Sequence, residues 1–517
     1  MHITIQDPKK NPHDLVVGID LGTTNSLLTY FDGHAFKFME WHEGKVLLPS
    51  VATYNRQGVH HVGYQALAHP LESGILASTK RLLDDPNQHI WAKITPLKVA
   101  TDILAYMKRY TEETLGRAIT ACIITVPAYF DEVQRLATKT AANLAGLNVL
   151  RLIHEPTAAA LAYDLDMSSS RKRGSISYHN TESLHSYSKH PNLNALNGSS
   201  VASYALAEDD RGGVFAVYDL GGGTFDVSIL SITDQFFHVL ATHGDTMLGG
   251  DDIDTAILQY WYTQNRPDLT ELKKQVISIK EDLSVQDGDL LTRTELSNIV
   301  APLLVKTFDH FDQALKDADI TRLDGIVLVG GATKTYGLKQ ALQKRYPFPI
   351  YDKQDPEIIV ALGAGMHACS LIFGGQHVLL DVTPLSLGVE MAGGLVEKII
   401  HRNTPLPVRQ EQIFTTYEAG QQGITFNIVQ GERERAQDCR SLARFTISNL
   451  PPMPPGKARA HVTFQIDVDG LITVSAIEHL TGQTLSIQIE SALSKEECDA
   501  LIADAMVHAK EDLGFIT

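Results

Sequence analysis

Cysteine is scarce in this sequence. Its 517 residues include four, Cys122, Cys369, Cys439 and Cys498, and no two of them form a C-x-x-C pair. This spacing argues against a disulfide framework or a cysteine zinc site, so we expect reduced, structural thiols. The sequence also lacks an apolar run of the roughly 18 residues that span a bilayer, and it lacks an apolar signal core near the N-terminus. We therefore expect a cytoplasmic protein without a membrane partner.

Positive charge is in short supply as well. The 44 Lys and Arg residues are outnumbered by 61 Asp and Glu residues, which gives a formal net charge of -17, and the basic block at residues 171–173 is short. Because a nucleic-acid binder needs a basic patch, we expect no nucleic-acid partner. Hydrophobic residues make up 44% of the chain. That fraction can build real cores, and the length allows about three domains of ~150 residues.

The hydrophobic pattern changes along the chain. Up to residue 376, short β-rich runs alternate with helical stretches such as residues 131–145 and 297–318, which predicts an α/β architecture. Residues 168–213 are rich in Ser, Asn and His without an apolar period. They predict an inserted, flexible loop, with metal capture by its histidines as the alternative. Short alternating strands from residue 384 predict an all-β domain, and helical spacing returns only near the C-terminus.

Two glycine turns repeat one pattern. VVGIDLGTTNS at residues 16–26 and VYDLGGGTFDVS at residues 217–228 each place an apolar strand, an Asp, glycine and threonine in that order. Two related hairpins predict two related subdomains that face each other. Glycine removes the Cβ atom, so backbone N–H groups can close on a phosphate. Asp20 and Asp219 would supply oxygen to Mg²⁺ through water, and Thr23, Thr24 and Thr224 could bind the terminal phosphate or the attacking water.

The individual turns remain ambiguous. Either of the first two turns alone could be a plain tight hairpin. A third turn, at Gly330 and Gly331, suits the ribose or adenine end of a nucleotide, but a simple strand-to-helix turn fits equally. No P-loop motif occurs, so the phosphate-binding lysine must come from elsewhere. Lys80 is one candidate that spacing alone does not separate from its neighbours.

Longer motifs point to a family. GIDLGTTNS, ITVPAYFDEVQR, HEPTAAALAY, VYDLGGGTFD, GDTMLGGDD, VLVGGATK and DVTPLSLGVE resemble the DnaK-type seventy-kilodalton heat-shock chaperones over nearly the whole chain. GLVEKIIHRNTPLPV, GERERAQDCRSLARF and VTFQIDVDGLITVSA resemble its HscA branch, which serves iron–sulfur cluster assembly. The resemblance implies an α/β actin-like, two-lobed ATPase domain at residues 14–376, with its insertion at 168–213. It also implies an apolar linker at 377–383, a β-sandwich peptide-binding domain at 384–492, and a short helical remnant of a lid at 493–517.

The resemblance also assigns site residues. Catalysis falls to Lys80, Glu155, Asp219 and Thr224. Binding of ATP or ADP falls to Asp20, Gly22, Thr23, Thr24, Asn25, Gly221, Gly222, Gly223, Lys280, Ser284, Gly330, Gly331 and Lys334, with Mg²⁺ held through water by Asp20 and Asp219. The residues that would transmit the signal between the domains are Pro127, Arg135, Leu379, Leu380 and Asp381. The peptide groove falls to Val389, Ala392, Phe414, Tyr417, Ile424, Phe426 and Ile428. Ordinary sandwich-core packing is the alternative for the groove residues, and a strand continuing into the β-domain is the alternative for the linker.

The sequence departs from the family pattern at several places. Ile277, Ala332 and Lys334 replace polar or arginine contacts to the nucleoside, which should weaken nucleotide binding. The interval between Lys80 and the next helix is short, which leaves nucleotide exchange in doubt. The sequence ends about one helix after the β-domain, so we expect bound peptide to leave faster than from a lidded relative. Ala392 is small where methionine is frequent, so we expect an altered peptide preference.

The resulting expectation is an ATP-driven chaperone. ATP binding would dock the linker and open the groove, and hydrolysis would tighten the grip on peptide. By resemblance, the client is an IscU-type iron–sulfur scaffold protein, delivered by an HscB-type J-domain co-chaperone, and the chain works as a monomer. The alternatives are a general DnaK-type chaperone, a passive peptide holder and a small-molecule kinase.

Overall fold

The computed structural model describes residues 15–58, 60–171, 213–233, 236–264, 276–280, 290–374, 378–468, 470–478 and 484–488. Ser284 and the proposed lid remnant at 493–517 lie outside the described residues, as does the insertion apart from its two ends. At those ends, residues 168–171 continue a helix and residue 213 begins a strand.

The first lobe is built on one mixed sheet. Its strands are β1 Leu15–Leu21, β2 Asn25–Phe31, β3 Phe36–Phe38, β4 Leu48–Pro49, β7 Ile119–Val126 and β8 Val149–His154, with the small pair β5 Ala52–Tyr54 and β6 His60–Val62 beside it. Its helices are α1 Tyr64–Ala68, α2 Pro96–Leu115, α3 Glu132–Leu144 and α4 Glu155–Arg171. The strand order is β3-β2-β1-β7-β8, with β4 also on β2. The apolar strand β7 lies between the parallel neighbours β1 and β8, as expected for a strand buried on both faces.

The second lobe repeats this plan. Its strands are β9 Gly213–Leu220, β10 Phe225–Thr233, β11 Phe236–Asp245, β12 Gly325–Val329, β13 Ile350–Tyr351 and β14 Val378–Leu380, in the order β13-β12-β9-β10-β11-β14. Its helices are α5 Gly250–Thr263, α6 Arg293–Asp317, α7 Leu338–Arg345 and α8 Ile359–Phe373. The antiparallel hairpins β1–β2 and β9–β10 are equivalent, and each holds one glycine turn of the repeated motif.

A shared core joins the two lobes. Helices α4 and α8 pack against each other and against strands of both sheets, with Ala158, Ala364, Val16 and Val217 in one buried cluster. The helices cross so closely that a Cβ on Gly363 would lie 1.8 Å from the Ala158 carbonyl oxygen. Glycine is therefore required at this crossing. The tight contact fixes the orientation of α4, whose first residue, Glu155, faces the cleft.

The C-terminal part is a β-sandwich. Its strands are β15 Leu387–Glu390, β16 Val396–Ile400, β17 Val408–Thr415, β18 Ile424–Gln430, β19 Arg440–Ile447, β20 Arg459–Ile466, β21 Ile472–Glu478 and β22 Thr484–Gln488. They form two antiparallel sheets of four strands, β16-β15-β18-β19 and β17-β20-β21-β22. Along β20, buried Ala460, Val462, Phe464 and Ile466 alternate with more exposed residues, which is the two-residue period of a strand with one face in a core.

Among the helices described, none is both long and apolar enough to cross a membrane. Cys122, Cys369 and Cys439 are free thiols, and burial raises the pKa of Cys122 to about 12 and that of Cys369 to about 11. These two thiols are therefore poor nucleophiles.

Candidate functional site

The two glycine turns meet at the cleft between the lobes. A Cβ on Gly222 would lie 1.8 Å from Thr24 Oγ1, and a Cβ on Gly223 would lie 2.5 Å from Thr23 Cγ2. No side chain fits in either position, so both turns depend on glycine for their close approach. The sequence pattern predicted each turn locally, and the structure brings them together across roughly two hundred residues of sequence.

Helix α5 orients the second turn. Its first-turn N–H groups donate to the carbonyl oxygens of that turn, Gly250 N to Gly221 O at 3.0 Å and Asp251 N to Gly222 O at 2.7 Å. In a trans peptide the carbonyl and the following N–H point in opposite directions. The N–H groups of Gly222 and Gly223 therefore point away from α5, where they can bind an anion. Thr24 Oγ1, beside them, is buried and has no hydrogen-bond partner among the described residues, as a group that binds a ligand would be.

Lys80 and Glu155 form a buried ion pair at the same cleft. Lys80 lies in the 3-10 helix Thr79–Leu82, and its Nζ donates to Glu155 Oε1 at 2.8 Å. Both side chains are about nine-tenths buried or more. The ammonium also lies 5.5 Å from the centroid of the Phe130 ring, a favourable cation–π geometry. The lysine is thus held in place by groups from two other elements of its own lobe.

Three aspartates surround this pair. Burial, with Glu155 close by, raises the pKa of Asp20 to about 7 and that of Asp226 to about 8, and it raises the pKa of Asp219 well above its usual range. Asp226 lies directly opposite Asp219 in the β9–β10 pair and accepts a hydrogen bond from Tyr129 N at 2.8 Å. Asp20 accepts one from Thr125 Oγ1 at 2.9 Å. Buried carboxylates that repel one another are stabilised when a divalent cation binds near them.

The residues present fit a nucleotide with Mg²⁺. The described part of the chain contains no group of three or more His, Cys, Asp or Glu side chains arranged to hold a metal alone. Mg²⁺ keeps several waters and shares its remaining positions with phosphate oxygens, so one or two protein carboxylates are enough to hold it. Asp20 and Asp219 would hold the ion. Asp226 joins them as a residue that the sequence analysis missed, although its place opposite Asp219 follows from the hairpin register.

The third glycine turn adjoins the second. Gly330 has a φ of 83°, in the left-handed region, and a Cβ there would lie 2.3 Å from Leu220 O. Lys334, which stands where relatives carry an arginine that packs on adenine, is ion-paired with Asp355 at 2.8 Å and Glu357 at 2.5 Å and is 45% exposed. Lys280 pairs with Asp254 of α5 at 2.6 Å. Both lysines therefore have acidic partners within the protein.

The linker strand β14 joins the second lobe. Val378, Leu379 and Leu380 pair in parallel with Phe236, Phe237 and His238 of β11, so these residues extend the lobe's sheet and neither sheet of the sandwich. Oδ2 of the next residue, Asp381, lies 2.5 Å from Nδ1 of His154.

His154 is bonded on both sides. Its other ring nitrogen contacts the Arg135 guanidinium, and burial lowers the pKa of His154. Neutral His154 can then donate from Nδ1 to Asp381 and accept at Nε2 from Arg135. Although burial favours the protonated acid, His154 and Arg135 hold the pKa of Asp381 below its usual range. His154 immediately precedes Glu155, so the linker lies one residue from the partner of Lys80.

The sandwich also contacts the first lobe. Glu132, in the first turn of α3, accepts a hydrogen bond from Ile472 N at 3.0 Å, and burial raises the pKa of Glu132 to about 8. Arg440 contacts the Asp131 carboxylate and donates to Asp84 O at 2.5 Å. These contacts join residues more than three hundred positions apart, so no local sequence pattern indicated them.

The second lobe is held to the sandwich in the same way. Arg402 contacts the Asp317 carboxylate, and Thr242 N donates to Asn403 Oδ1 at 3.3 Å. The β-sandwich therefore contacts both lobes. In the same arrangement, β14 lies in the sheet of the second lobe.

The family model described as Hsp70 protein matches residues 16–84, 84–177, 195–269 and 266–514. The chain belongs to the Hsp70 family. It is an HscA-like member, because curated relatives named "Chaperone protein HscA homolog" match over nearly its full length. The one from Acidithiobacillus ferrooxidans (strain ATCC 53993 / BNL-5-31) is 37% identical over 567 residues, covering 99% of this chain and 84% of the relative.

Two further HscA homologs show the same extent of similarity. That of Neisseria meningitidis serogroup B is 39% identical and that of Janthinobacterium sp. (strain Marseille) is 38% identical, each covering 97% of this chain and 82% of the relative. The match to the Acidithiobacillus protein extends over 567 positions, more than the 517 residues of this chain. The relative therefore carries residues that this chain lacks.

The residues assigned to the Hsp70 peptide groove form two sets. Five of them, Val389, Phe414, Ile424, Phe426 and Ile428, are buried in the sandwich core, with the Phe414 and Phe426 rings edge to face at 5.2 Å. Ala392 and Tyr417 are exposed, Tyr417 to 77%. The five buried residues therefore pack as ordinary sandwich-core residues do, which is the alternative to a role in the groove. Their role in peptide binding stays a prediction.

Proposed function

We propose that the chain is an ATP-driven peptide-binding chaperone of the HscA type, with an actin-like ATPase formed by the two lobes. The observation that carries this proposal is the continuous path from β14 through Asp381 and His154 to Glu155 and Lys80. A linker that only joined two domains would have no need for a largely shielded carboxylate bonded beside the charged centre of the cleft. A linker that reports nucleotide state would have that need.

The chain's own residues divide the work of hydrolysis. The Gly222 and Gly223 N–H groups and the Thr24 hydroxyl would orient the phosphates, and Lys80, fixed by Glu155, would place positive charge at the transferred group. Thr224, which is buried beside the second turn, would position the attacking water. Mg²⁺ bound with the nucleotide would neutralise charge on the phosphates. Positioning and charge neutralisation are sufficient here, because phosphoryl transfer to water needs no covalent enzyme intermediate.

The docked arrangement implies coupling between the nucleotide site and the peptide site. If nucleotide favours the state with β14 in the lobe and peptide favours the undocked state, each ligand must weaken the other by the same factor. The coupling energy in such systems is about 1–3 kcal/mol, or about 5- to 150-fold in affinity. Only contacts that differ between the two states can supply it, and undocking would break the Asp381–His154 pair and the contacts of Glu132 and Arg440.

The proposed client is an IscU-type iron–sulfur scaffold protein, and the proposed co-chaperone is an HscB-type J-domain protein. The HscA homologs at 37–39% identity support this choice over a general DnaK-type chaperone. We propose a monomer that acts in the cytoplasm.

Single-turnover ATP hydrolysis by the purified chain tests the proposal. It would be measured alone, with a Leu-Pro-Pro-containing scaffold peptide, and with that peptide plus the J-domain partner. Synergistic stimulation is expected, and Lys80→Ala should abolish it, whereas Lys339→Ala on the surface of α7 should not. An unrelated apolar peptide that stimulates equally would indicate a general chaperone. ATP-independent peptide holding would indicate a passive holder, and phosphate transfer to a panel of sugars would indicate a kinase.

A further inference from the structure

Arg81, the residue after Lys80, crosses the cleft between the lobes. Its Nη2 donates to Asp252 Oδ2 at 2.8 Å, and its Nη1 lies 3.8 Å from Asp251 Oδ2. Ser78 Oγ donates to the same Asp251 oxygen at 2.6 Å. Asp251 and Asp252 lie in the first turn of α5, whose N–H groups hold the second glycine turn. One arginine of the first lobe is therefore fixed by two acids of the second lobe, next to the phosphate turn.

One buried donor of the guanidinium has no protein partner among the described residues. Arg81 Nε is buried and has no hydrogen-bond partner within the described part of the chain. A buried N–H without a partner is costly, so a position of this kind calls for a ligand. Thr24 Oγ1 is also buried without a hydrogen-bond partner among the described residues, and both groups lie beside the second glycine turn. A Cβ on Gly222 would meet Thr24 Oγ1 at 1.8 Å, and a Cβ on Gly223 would meet Arg81 Cδ at 3.0 Å.

We propose that Arg81 is a phosphate-binding residue whose Nε–H donates to the terminal phosphate of the nucleotide when the lobes are closed. This inference rests on the proposed ATP site. Arginine suits the role because its planar fork can bind a carboxylate with one edge and a phosphate with another while it stays charged. Since Asp251 and Asp252 belong to the other lobe, Nε is aimed at the phosphate only in the closed cleft. Arg81 thereby distinguishes ATP from ADP and links that distinction to lobe closure.

Relative affinity for the two nucleotides tests the inference. The dissociation constants for MgATP, measured by rapid mixing before turnover, and for MgADP would be compared in the full chain. Arg81→Lys keeps the charge and removes the Nε donor, so its ATP-to-ADP affinity ratio should fall about 10-fold or more. Arg81→Ala should lower the ratio at least as far. Asp252→Asn weakens closure but leaves Nε intact, so it should weaken both nucleotides with a smaller change in the ratio.

The outcomes separate this inference from the proposed function. A wild-type chain that binds neither nucleotide refutes both. Wild-type binding combined with an unchanged ratio in Arg81→Lys and Arg81→Ala leaves the ATP site standing and overturns the role of Arg81, which would then be a tether between lobes only. Retained MgADP binding in each variant shows that the site is still folded.

Discussion

Replacing Asp381 by Asn should release the linker strand from the second lobe. Asp381 is 16% exposed and His154 is 3% exposed, so their contact is shielded from solvent. The substitution removes the charge that faces His154 and leaves the shape nearly unchanged. A buried hydrogen bond to a charged group contributes about 1.5–3 kcal/mol. Loss of one contact in the docked state alone would therefore reduce the docked-to-undocked ratio by about 10- to 150-fold.

Hydrogen exchange at the linker measures this change. The amides of Leu379 and Leu380 belong to a strand paired with β11 and should be protected in the ATP-loaded wild type. In Asp381→Asn they should exchange at least about tenfold faster, while amides in the core of β7 stay unchanged. Asp352→Asn, which removes a surface acid in contact with Lys339, is the matched control and should behave as wild type. If the linker amides of Asp381→Asn remained fully protected, the contact with His154 would not stabilise docking.

Two further predictions concern the cleft and the interface. Gly222→Ala should reduce ATP affinity more than about tenfold without unfolding the chain, because the added Cβ lies 1.8 Å from Thr24 Oγ1; calorimetric titration with MgATP together with a thermal melt would check it. Glu132 has a docked pKa of about 8 against an ordinary value of 4.5, so its contribution to docking is full below about pH 4.5 and is lost as pH rises through about 8. Small-angle scattering of the wild type should therefore show expansion between about pH 4.5 and about pH 8, and Glu132→Gln should remove that dependence.

The elements that sequence analysis predicts well are those with local signals. The family and the mixed α/β character are confirmed, and both rest on motifs of neighbouring residues. The helix expected at residues 131–145 is α3, Glu132–Leu144, because Asp131 and Gln134 form the capping box that starts it. The glycine turns can be predicted for the same reason, since each hairpin contains its own strand, acid and glycine within about a dozen residues.

The unpredicted part is made of contacts between distant segments. Asp226, His154 and Glu132 appear in the sequence as ordinary strand-end or helix-start residues, and only the fold surrounds them with partners. Arg440 is a strand residue whose partner, Asp131, lies 309 positions away. Burial and long-range pairing set the pKa values and the couplings here, and neither is encoded in spacing along the chain.

The two routes to Lys80 converge at the N-terminal end of α3. Asp131 contacts Arg440 of the sandwich, and Arg135 contacts His154, the partner of the linker. Arg135 Nε also donates to Phe130 O at 3.1 Å, and the Phe130 ring lies beneath Lys80.

The capping box holds the N-terminal end of α3 as one unit. A shift at the contact with Arg440 should therefore also change the contact with His154, and the reverse should hold. Arg440→Ala and Asp381→Asn should therefore be non-additive in a double-mutant cycle on peptide-stimulated hydrolysis, with a coupling energy of at least about 0.5 kcal/mol. The pair Arg409→Ala and Asp381→Asn is the matched control, because Arg409 pairs with Glu411 on the sandwich surface, and it should be additive. Additivity in both cycles would mean that the sandwich and the linker reach Lys80 by separate routes and that α3 does not join them.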